Sequence, residues 1–312
     1  MNVFRRLFNT SEVDKQPLPT EPALDRSELS ETDKDALNVL NGTTRPLPME
    51  EEQPALDLRH LMFGQHSDIG MVRKNNQDAI HSFYTVSESV DDRPGFGIFV
   101  LADGMGGHHD GEIASAIAAR TVVNELIRSL YLPMLTGGKD ERKPITEAIE
   151  KAIINANNAV VRGVPEGGTT LTVAVIQDDL ACVGHVGDSR AYLIRGREAE
   201  QLTRDHSYVQ RLAELGQIDA ADASSHLIKN VLYRALGQTE QLEVDILTRR
   251  LPAQSYLLLC SDGLWGQVKE YEIISTVVNN PNPQAACREL VARANASGGV
   301  DNVSAILIQV PG

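Results

Sequence analysis

The sequence has no apolar stretch of the length needed to cross a bilayer, which is about 18 residues. Its longest apolar runs are only a few residues, as in IFVLA and YLLLC. The first residues, MNVFRRLFNTSE, contain no apolar segment long enough for a secretory signal. We therefore expect a soluble, cytoplasmic protein with no stable membrane insertion.

Clusters of basic residues are also missing. The 312 residues include 29 Lys and Arg against 43 Asp and Glu, which gives a formal net charge of −14. Nucleic acid repels such a chain unless a basic face is segregated, and the sequence contains no Lys/Arg cluster. We therefore expect no nucleic-acid partner. The acidity itself has two explanations, solubility alone or carboxylates that hold cations.

Cysteine is scarce. Cys182, Cys260 and Cys287 are far apart, show no CxxC spacing and lie in apolar or helical contexts. This pattern predicts reduced core thiols and gives no indication of a zinc site. The stretch DGMGG lacks the Lys-Ser/Thr of a P-loop and the spacing of a dinucleotide fingerprint.

The composition divides the chain near residue 58. Residues 1–58 contain prolines and many acids but little periodicity, which predicts a disordered acidic arm. The arm could bind a partner or be a passive tail. Residues 59–312 have the texture of a globular domain, with short runs rich in Val, Ile and Leu that are bounded by Gly or Asp.

The order of the predicted elements indicates the fold class. The apolar runs predict strands, while GEIASAIAARTVVNELIRSLYL, PITEAIEKAIINANNAVV, EYEIISTVVNN and NPQAACRELVARANA predict helices in two consecutive pairs. Strands outnumber helices and do not alternate strictly with them. This favours an α+β fold with helix pairs on the outer faces of sheets. The polar segment from Asp205 to about Ser225 is predicted to be a surface insertion.

Aspartates recur where apolar runs end or where the next strand is about to begin. A single aspartate beside a glycine is ordinary turn chemistry. Several gathered at one sheet edge would raise one another's pKa, and a bound cation would remove that penalty. Oxygen ligands without His or Cys suit Mg²⁺ or Mn²⁺, and two such ions favour in-line displacement at phosphorus. The aspartates are Asp78, Asp103, Asp188, Asp262 and Asp301.

Three other residues could complete such a site. Gly104 follows Asp103 and allows close backbone approach, so its carbonyl could also be a ligand. Arg73 is a candidate phosphate anchor, because its guanidinium matches phosphate oxygens, or else a surface arginine. His108 follows DGMGG and could protonate a leaving alkoxide, or else be an exposed loop histidine.

A family resemblance follows from eight motifs that occur in one order. The sequence is similar to the metal-dependent protein serine/threonine phosphatases of type 2C over residues 60 to about 310. DGMGGH, in place of the DGHAG of eukaryotic members, indicates the bacterial branch. The motifs are VRKNNQD, DGMGGH, GGTTLT, GHVGDSRAYL, LTRDHS, NVLYRALG, CSDGLW and GGVDNVSAILI.

The resemblance implies a role for each candidate residue. Asp103 would bridge two metals with the Gly104 carbonyl on one of them, and Asp262 and Asp301 would hold the other. Asp188 and Asp262 would form a third, weaker site. Asp78 would act through metal-bound waters, and Arg73 would bind the substrate phosphate. Since Met105 stands where many members have a catalytic histidine, the acid role is assigned to His108.

The resemblance also implies a fold and a function. The fold would be a four-layer α-β-β-α sandwich of two mainly antiparallel sheets, with a flap at about residues 205–225. The chain would hydrolyse phosphoserine and phosphothreonine in proteins, through a hydroxide activated at a centre of two Mn²⁺ or Mg²⁺ ions. Its partners would be phosphorylated targets of a serine/threonine kinase, and it would be a monomer.

Two other functions remain open. One is a catalytically silent scaffold that binds partners through the acidic arm. Degenerate relatives usually lose metal aspartates, and this chain has kept them. The other is a stress-response switch that acts on anti-sigma antagonists. Such phosphatases usually carry sensory domains, and the arm is too short and polar to be one.

Overall fold

The computed structural model describes residues 60–87, 93–107, 109–136, 144–218 and 231–312. All of them belong to the second of the two units into which the chain divides, Leu56–Gly312. The predicted arm (1–58) lies outside the described residues, and so do His108 and the last part of the predicted flap (219–225).

The described residues form eleven strands, seven helices and one π-helical turn, Ile127–Tyr131. The strands are β1 (Met62–Asp68), β2 (Asp78–Ser87), β3 (Arg93–Met105), β4 (Gly168–Thr169), β5 (Leu171–Gln177), β6 (Leu180–Val186), β7 (Arg190–Arg195), β8 (Glu198–Gln201), β9 (Asp245–Arg250), β10 (Tyr256–Cys260) and β11 (Val303–Gln309). The helices are α1 (Asp110–Leu126), α2 (Leu132–Thr136), α3 (Ile145–Gly163), α4 (Tyr208–Glu214), α5 (Asp262–Trp265), α6 (Glu270–Asn279) and α7 (Pro283–Ala296).

The strands form two sheets in which all described pairings are antiparallel. The first sheet has the order β1-β11-β10-β7-β8. The second has the order β2-β3-β5-β6-β9, and the short β4 pairs with the end of β3. The predicted α+β fold with two antiparallel sheets is confirmed.

Three layers of core hold the sandwich together. One lies between the sheets, one between the second sheet and helices α1 and α3, and one between the first sheet and helices α6 and α7. Strand β3 shows why its sequence reads as a continuous apolar run. Phe99 and Leu101 face the core between the sheets, while Ile98 and Val100 face the helices. A strand alternates its side chains between two faces, and here both faces are buried.

The three cysteines are buried free thiols, which confirms the prediction of reduced core residues. Burial raises the pKa of Cys260 and of Cys287 to about 12 in each case. These thiols are therefore protonated at neutral pH and unreactive. No helix within the described ranges is both long and apolar enough to span a membrane.

Candidate active site

Strand ends from both sheets deliver the predicted aspartates to one place. Asp78 opens β2 and stands opposite Asp103 of β3 in the antiparallel register. Asp188 lies in the turn between β6 and β7. Asp262 follows β10 and Asp301 precedes β11, and these two strands are neighbours in the other sheet. We call the five residues the acidic cluster.

The pKa shifts of the aspartates indicate that the members of the acidic cluster lie close together. Burial is the largest cause that raises the pKa of Asp103 well above its ordinary value, and the charges of all the other members raise it further. Burial also raises the pKa of Asp262 to about 6, with Asp301 adding to the shift and a hydrogen bond with Asp103 opposing it. Asp103 and Asp262 are therefore close enough to change each other's pKa.

The pKa values of Asp188 and Asp78 are also raised. Burial, followed by the charges of Asp262 and Asp205, raises the pKa of Asp188 well above its usual range. Burial raises the pKa of Asp78 to about 7, and the Ser304 and Ser261 hydroxyls oppose the shift. Without a counter-charge, so many buried carboxylates would carry a large electrostatic penalty.

The hydroxyl of Ser261 links Asp78 to the opposite sheet. It donates to Asp78 Oδ2 at 3.0 Å and accepts from the backbone N–H of Ser304 at 2.9 Å. The other carboxylate oxygen of Asp78, Oδ1, is out of contact with solvent and has no hydrogen-bond partner among the described residues. An orphaned buried carboxylate oxygen of this kind calls for a ligand that the protein itself does not supply.

Arg73 reaches the acidic cluster from the loop after β1. Its Nη2 atom donates to Asp301 Oδ2 at 2.6 Å, and this bond is the largest cause that raises the pKa of Arg73. The Arg73 side chain is still 48% exposed, so a ligand from solvent can reach it. Asn302 holds the loop in place by donating to Ile69 O and Asn75 O, each at 2.9 Å, and by accepting from Gln77 N at 2.8 Å.

Gly104 lies where three backbone segments meet. Its N–H donates to Gln77 O at 3.0 Å. A Cβ atom at this position would lie 2.1 Å from Gly111 O and 2.6 Å from Gln77 O. Because no side chain fits there, glycine allows β3 to carry Asp103 directly beneath the start of helix α1.

A second group of side chains, outside the acidic cluster, fixes the position of Asp188. Trp265 Nε1 donates to the Asp188 carbonyl at 3.1 Å, and the Arg190 guanidinium stacks 3.6 Å from the centre of the Trp265 ring. Arg190 in turn forms a forked ion pair with Asp205, with the closest contact at 2.7 Å. Since Trp265 and Asp262 share helix α5, this network couples the positions of two cluster members.

The turn that carries Asp188 is also tied to the start of the predicted flap. Gly187 N donates to His206 Nδ1 at 3.0 Å, and His206 N donates back to Gly187 O at 2.8 Å. Asp205 and His206 are buried, although the sequence predicted a surface insertion beginning at Asp205. They are buried because they fasten this segment to the β6–β7 turn.

His185, on β6, is buried in a way that should make the free energy of unfolding depend on pH. Its Nε2 atom faces the carbonyls of Gly187 and Arg204 at 3.0 and 3.1 Å, so Nε2 carries the proton and Nδ1 accepts from the Thr172 hydroxyl at 2.9 Å. Burial, with a smaller effect from His206, lowers the pKa of His185 to about 3. The folded chain therefore keeps this histidine neutral, while the unfolded chain protonates it below about pH 6.5.

The contribution of neutral His185 to the free energy of unfolding is fully present above about pH 6.5. It is lost as the pH falls toward 3. Between about pH 6 and pH 4 we expect the free energy of unfolding of the natural chain to fall by about 1.4 kcal/mol per pH unit more steeply than that of His185→Gln. Urea unfolding at several pH values measures both slopes. Parallel slopes would contradict the assignment.

The donor set of the acidic cluster fits hard divalent cations. All the side-chain atoms that the cluster could offer to a metal are oxygens. One of them, Asp78 Oδ1, is buried and has no hydrogen-bond partner among the described residues. Within the described ranges, no group of three or more His, Cys, Asp or Glu side chains is arranged so that it could hold an ion by itself. Mg²⁺ typically binds one or two carboxylates and keeps several waters, so a magnesium site does not need three carboxylates in one place.

The structure thus brings together Arg73 and the whole acidic cluster, with Gly104 beside Asp103, while His108 lies outside the described residues. Sequence reasoning missed several supporting residues. Ser261 and Asn302 each sit beside a predicted aspartate inside a quoted motif, CSDGLW and GGVDNVSAILI. The available signal was a polar residue beside a predicted strand end, which does not identify the distant partner that each one contacts. Arg190, Asp205 and Trp265 also lie inside quoted motifs, GHVGDSRAYL, LTRDHS and CSDGLW, but only the tertiary structure shows what they contact.

Comparison with known proteins shows which family and which solved structures the chain resembles. The family described as "Protein phosphatase 2C" matches residues 64–303. Protein phosphatase PhpP of Streptococcus pneumoniae is 35% identical over 248 residues, which are 78% of this chain and 95% of PhpP. The crystal structure of the Mycobacterium tuberculosis serine/threonine phosphatase PstP/Ppp has a TM-score of 0.67 and 29% identity, covering 81% of this chain and 99% of that one. A PstP catalytic domain in complex with two manganese ions has a TM-score of 0.65 and 28% identity, covering 81% and 99%.

Proposed function

This chain belongs to the protein phosphatase 2C family, and from that premise we propose that it hydrolyses phosphoserine and phosphothreonine in proteins at a two-metal centre. One observation carries the proposal. The acidic cluster and Arg73 meet at one end of the two sheets, although they come from distant parts of the chain. Similar bacterial proteins, PhpP and PstP, are named as protein phosphatases, and PstP as a serine/threonine phosphatase.

The metal ligands would be the carboxylates that the fold already holds together. Asp103, with the Gly104 carbonyl, would serve one ion, and Asp262 and Asp301 would serve the other, with Asp103 between them. A third, weaker site would use Asp188 and Asp262. Two bound cations would lower the pKa of a water and stabilise charge on the attacking and leaving oxygens of phosphorus. The complex of a PstP catalytic domain with manganese supports Mn²⁺, and the oxygen ligands also suit Mg²⁺.

The chain's own residues bind and orient the phosphate. Arg73 would hold phosphate oxygens with the N–H groups that its contact with Asp301 does not use. Asp78, fixed by Ser261, would accept a hydrogen bond from water through its free Oδ1 atom. His108 would give a proton to the leaving alkoxide. The substrates would be targets of a serine/threonine kinase, met by a monomeric enzyme.

The test is hydrolysis of a phosphothreonine peptide with Mn²⁺, before and after chelation. Chelation is expected to remove activity and added Mn²⁺ to restore it. Asp262→Asn is expected to lower kcat/KM by about 10²- to 10³-fold, the usual effect of removing one electrostatic contact to a transition state. Asp179→Asn is the control, because Asp179 pairs with Arg250 on the surface. Activity that survives chelation, or that is unchanged in Asp262→Asn, would defeat the metal mechanism.

A further inference from the structure

Three exposed apolar side chains lie on the two loops that carry Arg73 and Asp301. Met71 is 70% exposed, Val72 65% and Val300 52%, although each could have been a polar residue at no cost to the core. Val72 directly precedes Arg73, and Val300 directly precedes Asp301. We call Met71, Val72 and Val300 the apolar rim. Where exposed apolar side chains form a contiguous patch rimmed by polar groups, they mark a surface that binds a partner.

The apolar rim is built on two loops that are locked together. Met71 N donates to Gly299 O at 2.7 Å. Gly299 has a φ of 53°, and a Cβ atom there would lie 2.7 Å from Met71 Cγ, so the Met71 side chain packs directly over this glycine. The Asn302 side chain also ties the first loop at Ile69 O, at 2.9 Å. The apolar side chains are therefore held in place outside the core and are not loose ends of a frayed loop.

The apolar rim is close in sequence to the proposed phosphate site. Arg73 Nη2 and Asp301 Oδ2 are 2.6 Å apart, and the Cα atoms of Val72 and Val300 lie only about 3.8 Å from those of Arg73 and Asp301. In an extended peptide, the residues next to a phosphothreonine lie only about 3.8 Å away along the Cα trace. A phosphate bound at Arg73 would therefore bring the flanking side chains of the peptide onto the apolar rim.

We propose that the apolar rim binds an aliphatic side chain adjacent to the phosphorylated residue and so selects phosphopeptides with apolar neighbours. This inference rests on the proposed function, because it needs the phosphate at Arg73. Charge favours the same selection. The formal net charge of the chain is −14, so acidic flanking residues gain nothing from the general field of the protein. An aliphatic side chain gains by covering apolar surface.

The experiment compares two phosphothreonine peptides that carry either leucine or serine on both sides of the phosphothreonine. The natural chain is expected to have a kcat/KM about fivefold higher for the leucine peptide, as half-burial of one leucine predicts. Met71→Ser and Val300→Ser are expected to bring this ratio close to one, mainly by raising KM for the leucine peptide. The matched control is Val278→Ser, because Val278 is a 39% exposed valine on helix α6. This variant should keep the natural ratio.

The outcomes separate this inference from the proposed function. Loss of the leucine preference in both rim variants, with the control unchanged, supports the inference. A natural ratio near one, or a preference that persists in Met71→Ser and Val300→Ser, overturns it and leaves the phosphatase proposal intact. If neither peptide is hydrolysed with Mn²⁺ present, both proposals fall. If the rim variants change the sedimentation of the chain but not the ratio, the rim is a self-association surface and the inference is wrong.

Discussion

Asp103→Asn is expected to remove most of the activity and, in the absence of divalent cations, to make the folded chain more stable. The two effects have one cause. Burial and the charges of the four other cluster members raise the pKa of Asp103. A neutral amide of nearly the same shape removes that repulsion, but it also removes the proposed central metal ligand. We expect a loss of about 10²- to 10³-fold in kcat/KM.

The sign of the stability change depends on pH. A carboxyl whose folded pKa is raised contributes stability below its unfolded pKa, about 3.9, and loses it as the pH rises through the folded value. The gain in Asp103→Asn should therefore be largest near pH 8 and should shrink toward pH 4. Added Mn²⁺ should reverse the order, because a ligand at 100 times its Kd stabilises the natural chain by about 2.7 kcal/mol.

Urea unfolding with a chelator at pH 8 and at pH 5, repeated with Mn²⁺, measures all of these changes. Asp179→Asn again serves as the control, since Asp179 is half exposed and pairs only with surface Arg250 among the described residues. If Asp103→Asn is less stable than the natural chain when the cation is absent, the acidic cluster is not repulsive. The fit to divalent ions would then lose its physical basis.

The sequence predicts the central strands better than the edge strands, for a physical reason. Strands β3, β5, β10 and β11 are buried on both faces, so each appears in the sequence as an apolar run. Strands β8 (EAEQ) and β9 (DILTRR) are the last strands of their sheets, half or more of their residues are exposed, and the others are only partly buried. Such strands are held by backbone pairing with one neighbour, and their polar sequences gave no signal.

The candidate site divides in a similar way. Its charged residues are predictable because one aspartate at a strand end is explained by a turn, whereas five such aspartates indicate a shared site. The residues that position them are not. The pairs Ser261 with Asp78 and Asn302 with Gln77 lie 183 and 225 residues apart, and nothing local links their members. Such contacts exist only after the two sheets have packed face to face.

Arg73→Lys is expected to lower kcat/KM for a phosphothreonine peptide by about 10-fold, and Arg73→Ala by about 100-fold. Lysine keeps the positive charge but has no planar fork. One guanidinium N–H group contacts Asp301, and only the others are left for the phosphate. A lysine ammonium that stays on Asp301 would offer a phosphate fewer donors in a less rigid arrangement. The loss should therefore lie mostly in KM.

Inorganic phosphate gives an independent readout of the same contact. If Arg73 binds the phosphate group, the inhibition constant for inorganic phosphate should rise in the same order, Ala above Lys above the natural chain. The Mn²⁺ concentration that gives half-maximal activity should change much less, because Arg73 is not a metal ligand. Arg120→Lys is the control, since Arg120 is exposed and its Nε donates only to Ala116 O within helix α1. An unchanged phosphate inhibition constant together with a large shift in the Mn²⁺ requirement would instead make Arg73 a positioning residue for Asp301, whose carboxylate it contacts at 2.6 Å.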